Sequence, residues 1–274
     1  MATTASPRKP AFLPRGPESL FAVDGLVCRD GEVSARMRLG PWSAGPGGTG
    51  SIGVLADNIL GYALISRAPE GRSSVSTEIS LDFLRPLSEP GTWLSALGRA
   101  VHAGATAGLA EGSVFDANGR LVARTRQWGR FVRRGPGPDE VEAHNGNAPS
   151  GNHSGTDPGL LADLREKVNA ADGRARLGVE ITDELVNFHG TLHGGVTLWA
   201  AGLAADAALS TSAVGLVPAS MTVSYLRPLP HRDLADFNAD VVSRGRSLAL
   251  TRVTGRNRAG EPCIVAAVHH HSLG

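Results

Sequence analysis

Between positions 50 and 66 apolar residues fall at Val54, Leu55, Ile59, Leu60 and Ala63, a three-to-four-residue spacing that predicts a helix with a buried stripe. After it the pattern changes to alternation broken by turns, which predicts strands near Thr77–Arg85, Trp93–Ala105, a third ending near Asp116, and Arg120–Trp128. The last two are joined at Asn118-Gly119, a hairpin signal. Ahead of the helix, LVCRDGEVSARMRL reads as another hairpin. Beyond residue 159 the same grammar returns: an added amphipathic helix in GLLADLREKVNA, a strand near Arg176–Thr182, an apolar helix from Gly194 to about Ser210, and strands ending in CIVAAVHHH.

The recurrence is a true internal repeat. Asn187–Gly202 lies on Trp42–Asp57 without a gap at an offset of 145, and PASMTVSYLRPL lies on STEISLDFLRPL at an offset of 142. Between the copies, Arg134–Gly159 is rich in glycine, proline, asparagine and serine and has little to bury. The expected organisation is therefore a flexible N-terminus over 1–18, a domain over 19–133, a flexible linker over 134–158 and a second domain over 159–274. A helix apolar on nearly every side must be wrapped by its sheet, so the predicted class is α+β: two antiparallel sheets, each around a central helix, paired edge to edge.

Composition narrows the function. Lys plus Arg (27) nearly cancels Asp plus Glu (26), so there is no broad field to hold nucleic acid or an anionic membrane, and no recognition-helix signature is visible. Cys28 and Cys263 are too few for a disulfide framework or a zinc cluster and read as reduced packing thiols. No apolar run reaches the ~20 residues of a membrane span, and the first residues lack the core of a signal peptide, so a cytoplasmic protein is expected.

Asn187-Phe188-His189-Gly190-Thr191-Leu192-His193-Gly194-Gly195, followed by an apolar helix and a strand ending in Leu226-Arg227-Pro228, resembles the hotdog-fold acyl-CoA thioesterases of the phenylacetate-pathway (PaaI-like) and human thioesterase superfamily member type. The resemblance covers both copies and implies a double hotdog, a pseudo-dimer in one chain. In that family one unit gives the Asn and the His-Gly-Gly turn, and the other gives a helix carboxylate and a hydroxyl at the next strand. The second copy has Gly202 at the acid position and Pro218 at the hydroxyl position, whereas the first has Asp57 and Ser76. Conversely, the first copy has Trp42 for the asparagine and Gly48 for the histidine. The resemblance thus implies one composite site with Asp57, Gly194, His193, Asn187 and Ser76 as catalytic residues and Gly195 and Gly190 binding the substrate.

The residue types suit thioester hydrolysis. A backbone N–H at a helix N-terminus, from Gly194, can meet the developing oxyanion, and glycine at 194 and 195 would leave room for the acyl carbonyl. Asp57 could serve as general base or as nucleophile, Ser76 could orient water, and Asn187 and His193 could hold the turn in register. The expected partner is an acyl-CoA substrate, with no metal or redox cofactor, no nucleic acid and no membrane, and pairing of two chains is expected by analogy. The other readings are a non-catalytic acyl-CoA sensor and a hotdog hydratase, whose histidine five places after the acid is replaced here by Tyr62.

Several other residues carry two readings. Asp206 is either a rescuing acid for the second site or a polar helix residue. His269–His271 is a metal cluster or, more simply, a strand end. Arg85 and Arg227 would meet CoA phosphates or pair locally. Tyr62 and Trp199 would limit acyl length, and Trp199, Trp93 and Met221 read as core or interface.

Overall fold

A computed structural model describes residues 16–133, 159–212 and 215–272. The first half contains a short helix α1 (Pro17–Leu20), strands β1 (Val23–Arg29) and β2 (Glu32–Arg38), the long helix α2 (Ile52–Arg67), and strands β3 (Arg72–Phe83), β4 (Trp93–Ala103), β5 (Ala107–Phe115) and β6 (Leu121–Arg133). The second contains α3 (Leu160–Glu166), β7 (Asn169–Ala171), β8 (Arg174–Glu180), α4 (Gly194–Ser210), β9 (Leu216–Tyr225), β10 (Leu234–Arg244), β11 (Leu248–Arg256) and β12 (Pro262–Ser272).

The two expected sheets merge into a single antiparallel sheet of twelve strands, in the order β1-β2-β4-β5-β6-β3-β9-β12-β11-β10-β8-β7. Its centre is the β3–β9 pair, where Ser80 faces Thr222. Helix α2 packs on β2, β3, β4, β5 and β6; α4 packs on the strands of the second half; and the two helices pack on each other. Both are therefore covered on most sides, which accounts for sequences such as GGVTLWAAGLAADAALS that have no polar face. Among the described residues no helix is long and apolar enough to cross a membrane.

The predicted α4 bounds hold, and α2 is shifted by one or two residues. Three differences are informative. Strand β3 starts at Arg72, five residues before the expected Thr77, because the small polar run Ser73–Ser76 pairs with Gly129–Val132 although it shows no alternation. The expected helix of 159–170 stops at Glu166, and its tail forms β7. Pro17 and Glu18 belong to a structured helix rather than to the flexible N-terminus assigned to 1–18, since Leu20 and Phe21 behind them are buried in the core. The rest of that stretch, 1–15, and the linker 134–158 lie outside the described residues.

Residues expected to set acyl length or line an interface sort as follows. Trp199 is fully buried, edge-on to Phe21 at 5.6 Å, and Phe21 in turn meets Trp42 at 5.1 Å. Met221 is core. Trp93 is not: it is 39% exposed, with Arg36 stacked over its ring at 4.7 Å. Cys28 and Cys263 are both free thiols.

Candidate active site

The site forms where the N-terminus of α4 meets the middle of α2. Asn187 builds the approach: its Oδ1 accepts from His189 N at 2.9 Å, from Thr191 N at 3.3 Å and from the Thr191 hydroxyl at 3.2 Å. This is an Asx-type turn, and Gly190 completes it at φ +70°, a conformation that favours glycine. Asn187 therefore acts on the loop, as expected of a turn residue. His193 then caps α4, its Nδ1 accepting from Gly195 N at 3.0 Å.

Asp57 reaches this cap from the other half. Its Oδ2 accepts from the same Gly195 N–H at 3.0 Å and stands 3.2 Å from His193 Nδ1, while its Oδ1 accepts from the Ser76 hydroxyl at 3.1 Å. A β-bulge in β3 between Ser76 and Glu78, opposite Gly129 and Trp128, interrupts the ladder beside that serine. Such bulges re-aim side chains at functional sites. The Asp57 side chain is 12% exposed, so it is withdrawn from bulk water without being sealed off.

The glycines have reasons nearer than the acyl carbonyl. A Cβ on Gly195 would collide with Val54 Cα, so glycine there permits the helix crossing. A Cβ on Gly194 would lie 2.8 Å from Asp57 Oδ2. The Gly194 N–H has no acceptor among the described residues, as the first turn of a helix allows, and remains available.

Two residues absent from the sequence reading complete the site. Glu18 Oε1 lies 3.4 Å from His193 Nε2, so the buried imidazole is flanked by carboxylates on both nitrogens. Burial opposes a charge on His193, but Asp57 and Glu18 outweigh it and move its pKa up. For Glu18 the balance runs the other way: burial alone would raise its pKa, and hydrogen bonds and charge from His193, with further help from Asn58, bring it below the ordinary value. The Tyr225 hydroxyl donates to Gly194 O at 2.8 Å, and burial, with the Asp57 charge, holds the phenol well above its usual range. It is a neutral donor at any physiological pH.

The remaining candidates lie elsewhere. Asp206 accepts from Gly47 N at 2.8 Å and meets His270 Nε2 at 2.9 Å. His270 is buried while His269 and His271 face out, so the run is a strand, and no metal-holding group of three is present among the described residues. Arg227 donates to Pro262 O at 2.8 Å, and Arg85 is exposed. Tyr62, partly buried, takes Cys28 Sγ on its carbonyl at 3.8 Å and lies within the electrostatic reach of Glu18, whose charge adds to burial in raising the phenol pKa.

A sheet wrapped around two crossing helices, with a carboxylate of one half laid on the helix N-terminus of the other, defines a double-hotdog thioester hydrolase. The chain belongs to the acyl-CoA thioesterase family. The family model described as the acyl-CoA thioesterase C-terminal domain matches residues 16–131, and that of the N-terminal domain matches 182–271. The two models thus occur in reverse order along this chain. Acyl-coenzyme A thioesterase 13 of Homo sapiens and that of Pongo abelii are each 30% identical over 109 residues, 39% of this chain and 78% of the relative. Among solved structures, the tesB protein of Mycobacterium avium subsp. paratuberculosis aligns with TM-score 0.60 at 16% identity over 93% of this chain and 97% of that one. An acyl-CoA thioesterase II (TesB2) of Mycobacterium marinum aligns with TM-score 0.59 at 10% identity over 94% and 98%.

Proposed function

We propose that the chain hydrolyses an acyl-CoA to the free acid and CoA at one composite site, with Asp57 as general base. The observation that carries this reading is the position of Asp57, held by Ser76 on one oxygen and by the Gly195 N–H on the other, across the junction of the halves. The free Gly194 N–H receives the thioester carbonyl oxygen, where the α4 dipole favours negative charge. A water proton passes to Asp57 as the water oxygen bonds to the carbonyl carbon. The C–S bond then breaks, and the thiolate takes a proton back from Asp57. Ser76 holds the carboxylate and the water in line, Asn187 fixes the loop, and Tyr225 braces the Gly194 peptide from its carbonyl side.

The chain's own groups suffice for this chemistry, and neither metal nor redox cofactor enters it. A pair of such chains is the proposed assembly, and light scattering that finds only the monomer mass rejects it. The activity test is release of free thiol from acyl-CoAs of short, long and aromatic chains. Wild type should turn over at least one of them and Asp57→Asn about 10³-fold more slowly; binding without turnover by the wild type would replace hydrolysis with sensing. Single turnover in ¹⁸O-water tests the alternative role: label in the protein shows that Asp57 attacked the carbonyl and that water opened the mixed anhydride at the Asp57 carboxyl carbon, whereas general-base catalysis puts label in the released acid alone.

A further inference from the structure

Glu18 lies outside the repeat and outside the motif, yet it is the second partner of the histidine at the centre of the site. Helix α1 is short, but its place is fixed: Leu20 and Phe21 are in the core, with Phe21 against Trp199 of α4. Glu18 is consequently held where its Oε1 faces His193 Nε2 at 3.4 Å, and Asn58 of α2, itself buried, adds to the influences that lower the pKa of this carboxylate.

The other face of the imidazole is crowded. The Gly195 N–H points at His193 Nδ1 and at Asp57 Oδ2 from 3.0 Å each, and these two atoms are 3.2 Å apart. One proton is thus shared by two acceptors. A neutral ring that accepts at Nδ1 must carry its own proton on Nε2, and Glu18 is the acceptor there. A second proton on the ring has one place to go, Nδ1, where it donates to Asp57 and converts the base into half of an ion pair.

We infer that Glu18 is a positioning residue of the composite site: it fixes the Nε2–H tautomer of His193 and sets the pH at which that ring changes from an acceptor for Gly195 into a cation paired with Asp57. This inference rests on the hydrolytic reading for its consequence, since the Asp57 so paired is a poorer base and turnover must fall below that pH. The ionisable groups that face the ring are Glu18 from α1 and Asp57 from α2; Tyr62 stands beyond Glu18 and Tyr225 beyond Asp57, both as neutral phenols. Removing the Glu18 charge leaves one carboxylate against the burial of the ring, so the His193 pKa falls.

The test compares wild type, Glu18→Gln and Glu18→Ala by ¹⁵N NMR of the His193 ring and by the pH dependence of kcat/KM on an acyl-CoA. A glutamine oxygen still accepts from Nε2, so Glu18→Gln should keep the tautomer while the ring titration and the acid limb of activity both move to lower pH by about half a unit or more. Glu18→Ala should show a mixed tautomer and a plateau kcat lower by about tenfold, with KM within about twofold. An unchanged His193 tautomer and titration in Glu18→Ala overturns the inference, as does an acid limb that stays in place in Glu18→Gln. The NMR readout needs no turnover: if it behaves as expected but the wild type hydrolyses no acyl-CoA, the positioning role stands and the hydrolytic reading fails.

Discussion

The composite site and its pseudo-symmetric counterpart start from the same plan and end in opposite states. In the first, the α2 acid Asp57 takes a backbone N–H from the turn of the other half and a hydroxyl from Ser76 of the following strand. In the counterpart, the α4 acid Asp206 takes a backbone N–H from Gly47, again in the turn of the other half, and meets His270 of the last strand. The bulge is repeated too: Ser76 faces Gly129 just before one irregularity, and Pro218 faces His270 just before the other. Position for position, Asp57 and Ser76 become Gly202 and Pro218, while Asp206 and His270 become Gly61 and Gly129. Each polar pair exists in one copy only.

The difference lies in what is left open. At the first site the N–H opening α4 has no protein acceptor among the described residues. At the second, Thr49 stands in the place of Gly194, no strand hydroxyl among the described residues hydrogen-bonds the acid, and a buried histidine fills the strand position. The first arrangement can receive a carbonyl; the second ties the halves together.

This contrast breaks most sharply at Asp57. Asp57→Asn should lower kcat by about 10³-fold with little change in melting temperature, a general-base loss. Substantial residual turnover would move the chemistry to Asp206. Gly194→Ala should cost about 10²-fold in kcat, because its methyl falls on Asp57 and beside the free N–H. For Ser76→Ala we expect about tenfold, read in kcat rather than KM. Asp206→Asn should leave turnover within about twofold yet destabilise the fold by about 1–3 kcal/mol in denaturant titration, since it weakens partners of the buried His270 and of Gly47 N. The reverse result, lost activity with intact stability, would make the second site the working one.

The smallest effect is on stability against pH. The depressed pKa of Glu18 gives stability that is present above the ordinary glutamate value and is lost as pH falls through the folded one. The raised pKa of His193 gives stability that is present below the ordinary histidine value and is lost as pH rises through the folded one. Both contribute together between about pH 5 and 6.5, so Glu18→Gln should destabilise most in that window and less above it.

Sequence reading reached whatever was repeated or patterned. The family pattern, carried across by the offset between copies, located Asp57 and Ser76 in a helix and a strand that lack any motif of their own; periodicity placed α2, and the repeat placed α4. It missed what depends on one copy alone. Glu18 sits in a stretch of low apolar content and became visible only when Leu20 and Phe21 were seen to anchor it. Tyr225 reads as an ordinary strand aromatic until its hydroxyl is found on Gly194 O. The Asp206–His270 contact joins residues 64 positions apart, which no local pattern connects. For Gly195 the sequence could not show the clash with Val54 that a side chain would cause, since the helix crossing is a tertiary fact.

The β3–β9 seam has a further consequence for stoichiometry. If the halves were separate polypeptides, each could also associate with its own kind across that edge. A pair of first halves would hold two copies of Asp57 and no His-Gly-Gly turn; a pair of second halves would hold two turns with glycine and proline where the acid and hydroxyl belong. Peptide continuity between unlike halves enforces a one-to-one ratio.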